Sequence, residues 1–169
     1  MSKSENIFVC IGAIHQDYLI NLKKNIINYR TNPIIQKSRV GGVAYNVAEV
    51  LSIFEKIKLY SLPISKELRS QISNKITINQ IDKSHSERYY IALSNKKNKF
   101  LLGLANTDVY ETSKYLKIPN INNKIVIFDL NFSKNYLERA IDKLSNKNKI
   151  VVCATSVHKI NKINRYPNL

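Results

Sequence analysis

Short apolar runs separated by polar stretches form the strongest pattern in this sequence. Continuous apolar runs of a few residues, bounded by turn-forming residues, are typical of strands that are buried on both faces. We predict core strands at Ile7–Gly12, Lys58–Leu62, Lys124–Phe128 and Lys149–Cys153, with a weaker alternating strand at Ile76–Ile81.

Apolar residues at intervals of three and four predict helices between these strands. One helix is expected directly after Gly41-Gly42, with a shared apolar stripe of Val43, Val47, Val50, Leu51 and Phe54. Ser65 and Ser133 each precede a helical pattern, and a serine hydroxyl there can accept a hydrogen bond from a first-turn amide. The other helices are predicted at Ser65–Ser73, Thr112–Leu116 (short at best), Lys134–Leu144 and Thr155–Ile163.

The remaining segments predict a small β lid. Arg88–Leu93 and Lys99–Ala105 are β-prone runs around the polar Ser94–Asn98, which is the pattern of a hairpin. Tyr18–Leu22 and Pro33–Lys37 are expected as extended pieces joined by a polar loop. Strands that alternate with amphipathic helices indicate an α/β fold with a doubly wound, mostly parallel sheet and helices on both faces. We expect a single domain over residues 1–169, with lid segments at about 17–38 and 87–105.

The charge of the chain is high, at +15 with a pI near 9.8. A basic nucleic-acid-associated protein is therefore one hypothesis. However, the lysines are scattered among Asn and Ile, as in Asn95–Lys99 and Ser145–Lys149, and form no basic stripe with interleaved aromatics. Nucleic-acid binding is accordingly the least favoured function.

No apolar run is long enough to span a bilayer, and Met1–Asn6 does not open a signal peptide, so we expect a cytoplasmic protein without a membrane partner. Cys10 and Cys153 lie inside apolar runs and are expected to be buried thiols. Neither has a second Cys or a His at metal-ligand spacing, so no metal site is predicted.

The candidate chemistry lies around the glycine pair. Glycine lets other groups approach the backbone, and a helix N-terminus presents free amides that can hold an anion or a hydroxyl oxygen. Asn46 lies about one turn into that helix, and Asp17 follows the first strand, where it could accept hydrogen bonds from a polyol. The alternative is a glycine turn before an ordinary core helix. His15 has no partner that can be identified from the sequence and is interpreted as a surface or packing residue.

These residues resemble the N-terminal half of the ribokinase-like (PfkB) carbohydrate kinases, and the pseudouridine kinase branch most closely. Ser38–Ala48 resembles the family's Gly-Gly signature, and Gly12 with Asp17 resembles its Gly…Asp element after the first strand. Three further segments resemble the pseudouridine kinase branch in order and spacing: Leu104–Tyr110, Phe128–Asn131 and Ala154–Lys159.

The resemblance implies ATP-dependent phosphorylation of a ribosyl hydroxyl, with ATP and Mg²⁺ as cofactors and a small nucleoside or sugar as substrate. It implies that the lid closes over the sugar. The substrate-binding residues that it implies are Asp17, Gly41, Gly42 and Asn46 toward the ribose, and Asn131 near the substrate or phosphate.

The sequence also departs from the family pattern. Pro63–Lys66 replaces a Gly-Asp element, Glu87 stands where a small hydroxyl residue is common, and Asn106 stands where an Asp is common. No glycine follows Gly103, so the family's Gly-Ala-Gly-Asp segment, which stabilises the phosphoryl group and supplies the base, has no counterpart.

The resemblance therefore implies a truncated kinase that keeps the sugar-binding half and lacks the C-terminal part of the fold, with no catalytic residue and little activity alone. The alternative is a non-catalytic nucleoside-binding module, or one that depends on a homodimer or a complementing subunit. A parallel sheet that stops after its fourth core strand is expected to expose an apolar edge and face.

Overall fold

Two β-sheets organise the chain in the computed structural model, which describes residues 6–83 and 86–169. The segment Met1–Asn6, which is not expected to open a signal peptide, lies outside these ranges except for Asn6. The strands are β1 Phe8–Ile11, β2 His15–Leu22, β3 Ile34–Gly41, β4 Ile57–Ser61, β5 Ile76–Gln80, β6 Tyr89–Ser94, β7 Phe100–Asn106, β8 Ile125–Asp129 and β9 Lys149–Cys153. The helices are α1 Val43–Leu51, α2 Lys66–Ser70, α3 Val109–Thr112 and α4 Lys134–Ser145, followed by a 3₁₀ helix, Val157–Ile163.

The first sheet, called the core sheet below, has the strand order β5-β4-β1-β8-β9, and all of its neighbouring strands are parallel. Strand β1 lies in the middle, with Cys10 opposite Leu59 on one side and Ile127 on the other. The predicted parallel sheet with helices on both faces is confirmed, and each of its strands lies within one or two residues of the prediction.

Each face of the core sheet has its own apolar core. Helix α4 covers one face with the predicted residues Leu137, Ala140, Ile141 and Leu144, which pack against Phe128 and other buried residues. Helices α1 and α2 cover the opposite face, where Ala44, Ala48 and Leu68 are buried. The Ser65 and Ser133 caps are confirmed, since their hydroxyls accept hydrogen bonds from the amides of Leu68 (3.1 Å) and Tyr136 (3.3 Å).

The second sheet, called the lid sheet, has the order β3-β2-β6-β7 and contains the predicted hairpin of β6 and β7. Strand β2 pairs antiparallel with β3 and parallel with β6. The chain leaves β1 through residues 12–14, runs out and back along β2 and β3, and returns to the core sheet at α1. The roots of the lid and the start of α1 therefore meet beside the carboxyl ends of β1 and β8.

Some sequence-based expectations are wrong. The short helix lies at Val109–Thr112 and not at Thr112–Leu116, and the last helix is a 3₁₀ helix. The predicted apolar stripe of α1 faces the core only in part: Val47 and Leu51 pack against it, whereas Val50 is 59% exposed and Phe54, beyond the end of α1, is 80% exposed. The fully buried face of α1 is formed by Ala44, Tyr45 and Ala48, and the small alanines let the helix approach the sheet closely.

The two cysteines are free and differ in burial. Cys10 is buried as expected, and burial is the main reason that its pKa is raised to about 12. Cys153 is only half-buried, because it lies near the end of β9, at one edge of the core sheet. None of the helices in residues 6–83 and 86–169 has the length and apolar character needed to cross a membrane.

Candidate functional site

A buried carboxylate joins the segments that meet at this edge of the core sheet. Asp129 ends β8 and is fully buried. Its Oδ2 accepts hydrogen bonds from the amides of Ala13 (2.8 Å) and Ala44 (3.1 Å), and its Oδ1 accepts from the amide of Asn131 (3.0 Å). A negative group is favourable at a helix N-terminus. Asp129 therefore links the β1–β2 connection to the start of α1, a role that sequence reasoning missed.

Two glycines at this junction are required by close approaches. Gly42 precedes α1 with a φ of 108°, which side chains rarely adopt, and a Cβ there would overlap the carbonyl oxygen of Ala13. A Cβ on Gly41 would overlap the carboxylate of Asp17. The predicted residues Asp17, Gly41 and Gly42 are thus brought together, with Gly41 forming the surface on which the Asp17 side chain lies.

Asp17 is nearly buried, yet its carboxylate makes no hydrogen bond within the described residues. Its Oδ1 lies 2.9 Å from Nδ1 of His15, but the geometry is not that of a hydrogen bond. Its Oδ2 lies 3.6 Å from Nε of the exposed Arg39. The sequence identified no partner for His15, and the structure places the Asp17 carboxylate beside it, because residues two apart on β2 lie on the same face of the strand.

The start of α1 contributes backbone amides to the same region. The N-cap residue Gly42 has no side chain to cap the helix, and the first intrahelical bond runs from the amide of Asn46 to the carbonyl of Gly42. The amide of Ala44 donates a hydrogen bond to the Asp129 carboxylate. The amides of Val43 and Tyr45 have no intrahelical acceptor, as is usual for a first turn. They follow Gly41, against which the Asp17 carboxylate lies, by two and four residues in the sequence.

The other two predicted residues lie apart from Asp17. Asn46 is exposed and lines a shallow apolar depression on the outside of α1 with Val43, Val47, Val50 and Leu51. Asn131 is half-buried, and its Oδ1 accepts a hydrogen bond from Nζ of Lys159 (3.0 Å). Asn131 is connected to the junction through Asp129, whereas Asn46 is not among the groups around Asp17.

A charged cluster surrounds Asn131. Nζ of Lys162 donates to Glu111 and to the carbonyls of Leu130 (2.9 Å) and Phe132 (2.8 Å). Nζ of Lys159 lies 3.8 Å from the same Glu111 carboxylate. Burial lowers the pKa of Lys162, while the hydrogen bond that it donates to Glu111 acts in the opposite direction. The cluster ties the last part of the chain to the loop after β8.

Arg88 fastens the lid sheet to the core. Its buried Nε donates to the carbonyl of Ile14 (2.9 Å) and to the hydroxyl of Tyr110 (2.7 Å), and an Nη donates to the carbonyl of Pro63 (2.7 Å). The Tyr110 hydroxyl in turn donates to the carbonyl of Ile14 (2.6 Å), and burial raises its pKa. Pro63, which the sequence marks as a departure from the family pattern, therefore supplies an acceptor for this arginine.

No group of three or more His, Cys, Asp or Glu side chains lies together in the described ranges in a way that could hold a metal ion. The junction contains the carboxylates of Asp17 and Asp129, the imidazole of His15, the guanidinium of Arg39 and backbone amides. Such groups can hold hydroxyls by accepting and donating hydrogen bonds.

No protein-family model matches the chain, and no curated protein matches its sequence. Solved structures are similar to it. A carbohydrate kinase from Agrobacterium tumefaciens has a TM-score of 0.75 at 16% identity, over 94% of this chain and 57% of its own. A ribokinase from Arabidopsis thaliana, complexed with ribose and ATP, has a TM-score of 0.65 at 7% identity, over 90% and 54%.

A nucleoside kinase from Methanocaldococcus jannaschii, described as an archaeal member of the ribokinase family, has a TM-score of 0.61 at 17% identity, over 94% of this chain and 58% of its own. The chain thus spans little more than half the length of these proteins. At these identities the similarity concerns the fold and does not distinguish the pseudouridine kinase branch from the others. The chain has the ribokinase-like fold of these carbohydrate kinases, as its sequence predicted.

Proposed function

We propose that the chain binds the ribosyl group of a sugar or nucleoside, as the substrate-binding half of a kinase that phosphorylates a ribosyl hydroxyl. The observation that carries this proposal is the nearly buried Asp17 carboxylate, which lies on Gly41 without a hydrogen bond in the described part of the chain. A buried carboxylate oxygen without a hydrogen-bond donor is costly, and hydroxyl donors of a ligand would reduce that cost.

The surroundings of Asp17 suit a polyol. The hydroxyls of a ribosyl group both donate and accept, and Asp17 supplies an acceptor while the amides of Val43 and Tyr45 supply donors. The lid sheet begins at this point, and closure of a lid excludes water from a reacting phosphoryl group. The ribokinase solved with ribose and the nucleoside kinase have the same fold, which supports this class of substrate.

Pseudouridine is the substrate that we propose within this class. Two of the three segments that resemble the pseudouridine kinase branch meet in the structure, through the hydrogen bond of Lys159 to Asn131. The third segment ends at Tyr110, next to Glu111, which contacts Lys159. This arrangement supports a joint role of the segments beside the Asp17 junction, with Asn131 toward the substrate. Asn46 is proposed as a further ribose contact on the resemblance alone.

ATP, bound with Mg²⁺, supplies the phosphoryl group and the charge neutralisation in reactions of this type. The described residues include no carboxylate cluster that fits Mg²⁺, and we assign none of them to ATP or to proton abstraction. A general base and preorganised donors normally contribute several orders of magnitude in rate. We therefore propose that this chain by itself binds substrate with little or no catalysis.

A thermal melt followed by circular dichroism tests the proposal. Millimolar pseudouridine is expected to raise the melting temperature, because a ligand that binds only the folded state stabilises it. Ribose and uridine serve as comparison ligands, and a shift with pseudouridine alone supports the narrower assignment. Asp17→Ala should abolish the shift, whereas Asp142→Ala, which removes a half-exposed carboxylate on α4, should keep it. A cooperative melt that no ligand shifts contradicts the proposal.

A second candidate function is a module that depends on a partner. Val50 on α1, Phe54 shortly after this helix and Val151 on β9 are exposed apolar residues. Apolar surface of this kind commonly marks an interaction site. The occupant would be a second copy or a complementing subunit that adds to the sheet beside β9. Sedimentation velocity over a concentration series tests it: self-association that Phe54→Ser weakens supports a second copy, and a strictly monomeric species excludes one.

A further inference from the structure

The two faces of the lid hairpin differ in the size of their side chains near its root, at residues 89–93 of β6 and 102–106 of β7. Successive residues of a strand lie on opposite faces, and residues paired across two strands lie on the same face. The outer face, opposite to Asp17, carries the large apolar residues Tyr89, Ile91, Leu93, Leu102 and Leu104. The face of Asp17, called the site face below, carries Tyr90, Ala92, Gly103 and Ala105. The site face thus has one large side chain among small ones.

Tyr90 is the neighbour of Asp17 on this face. The two residues are paired between the parallel strands β2 and β6, so their side chains leave the lid sheet in the same direction. Neighbouring strands lie about 4.8 Å apart, which is close to the separation between a ribosyl ring and a base attached to it. A nucleoside whose ribosyl group lies at Asp17 could therefore place its base at Tyr90.

The side chain of Tyr90 extends from β6 onto β7. A Cβ on Gly103 would overlap the hydroxyl oxygen, Cζ and Cε2 of Tyr90, so the ring lies close against the β7 backbone because Gly103 has no side chain. Ala105, which is paired with Tyr90, and Gly103 are both exposed, and Tyr90 itself is only partly buried. The surface beside the ring is accordingly open to solvent.

The Tyr90 ring has no partner in the described parts of the chain. It contacts no other ring and no cation there, and its hydroxyl makes no hydrogen bond. The ring of Tyr89, on the outer face, packs edge-on against Tyr18 with centroids 6.0 Å apart. An unpartnered ring therefore lies next to Asp17, whose nearly buried Oδ1 also lacks a hydrogen bond in these ranges.

We propose that Tyr90 is a specificity-determining residue, whose ring stacks on the base of a nucleoside held by its ribosyl group at Asp17. This inference rests on the proposed function of Asp17 and specifies the substrate as a nucleoside and not a free sugar. Every base has a planar π-face that stacks favourably on an aromatic side chain, and the small residues of the site face leave room for it. The alternative is that Tyr90 only shields the strand glycine Gly103, as aromatic residues do in β-sheets.

Isothermal titration of the chain with pseudouridine and with D-ribose tests the inference. Pseudouridine should bind about tenfold more tightly than D-ribose, and Tyr90→Leu should remove this difference without weakening D-ribose. Tyr90→Phe keeps the ring and should keep the preference. Tyr89→Leu is the matched control on the outer face and should also keep it. Asp17→Ala should weaken both ligands, which separates the sugar contact from the base contact.

The outcomes distinguish the two proposals. Equal weakening of both ligands by Tyr90→Leu, or no change in either, overturns the role of Tyr90 and leaves the sugar site intact, as does pseudouridine that binds no more tightly than D-ribose. No binding of either ligand to the folded chain overturns both proposals. If Tyr90→Leu does not fold, NMR of the original chain decides. The H6 proton of bound pseudouridine should shift upfield and show a nuclear Overhauser contact to the Tyr90 ring, and a bound base without this contact contradicts the inference.

Discussion

The core sheet and the lid sheet both contain apolar strands but differ in how far these are buried. The residues of β1 and β8 are almost all buried, because helices cover both faces of the core sheet. Every residue of β7 is exposed, including Phe100, Leu102 and Leu104. The core sheet is thus stabilised by burial, whereas the lid depends on backbone pairing and on a few anchors at its roots.

The difference places the candidate site at the boundary between a rigid and a weakly held part. Asp17 lies on β2 of the lid sheet, against Gly41 at the end of β3, where the chain passes into α1 of the core. Arg88 donates to the carbonyl of Ile14 and Asp129 accepts from the amide of Ala13, so both residues anchor the β1–β2 connection at this boundary. Low-stability segments are the ones that move on ligand binding. Substitutions on the two sides should therefore affect stability and binding in different proportions.

Removal of the Asp129 carboxylate is expected to have the largest effect. Asp129→Ala leaves three backbone amides without an acceptor, and at about 1–3 kcal/mol for each buried unsatisfied group we expect a loss of roughly 3 kcal/mol or more. Urea unfolding measures it, with Asp142→Ala as the exposed control. A loss below about 1 kcal/mol would show that water replaces the carboxylate and that the junction is not rigid.

Arg88→Met should loosen the lid more than the core. It removes the hydrogen bonds to the carbonyls of Ile14 and Pro63, and we expect a cost of about 2–4 kcal/mol. Hydrogen exchange should accelerate at the amides of β6 and remain slow in β1. Arg165→Met, at an exposed arginine, is the matched control. Equal acceleration in both sheets argues that the lid is an integral part of the core.

Two glycine substitutions compare the junction with the outer lid. Gly42→Ala forces a side chain into a positive φ against the carbonyl of Ala13, at a cost of about 1–3 kcal/mol, and should also remove the ligand-dependent shift in melting temperature. Gly103→Ala meets only the hydroxyl end of the Tyr90 ring, which can move, so about 1 kcal/mol or less is expected. Thermal melts with and without pseudouridine measure both. A larger loss of stability and of the ligand-dependent shift for Gly103→Ala than for Gly42→Ala would place the binding determinants in the outer lid.

The smallest effect is expected on the outer face of α1. Val50→Ser should change stability by less than about 0.5 kcal/mol, since Val50 is exposed. Ala48→Ser, two residues away on the buried face, should cost about 1–3 kcal/mol because its hydroxyl enters an apolar core. Chemical denaturation of the two variants provides the comparison. A large loss for Val50→Ser would mean that this face is covered in solution.

The sequence predicted the strands, the hairpin and two serine caps because these depend on local patterns. Apolar runs as in β1 and β8 and a cap such as Ser133 are readable without knowledge of the neighbours. The orientation of α1 could not be predicted from the sequence, because the helix has more than one apolar face. The face that packs most closely against the sheet, with Ala44 and Ala48, is the one that is buried. The partnership of His15 with Asp17 was also missed, although the spacing of two residues on a predicted strand was the signal that could have revealed it.

The sequence by itself determined the α/β class, the parallel core, and the presence of an acidic residue and a glycine pair near its edge. The tertiary structure alone decided which groups lie together: Asp17 on Gly41 with His15 beside it, and Asp129 between the amides of Ala13 and Ala44. The physical reason is that hydrophobic patterning acts over neighbouring residues, whereas a buried polar group must be matched by partners from distant parts of the chain.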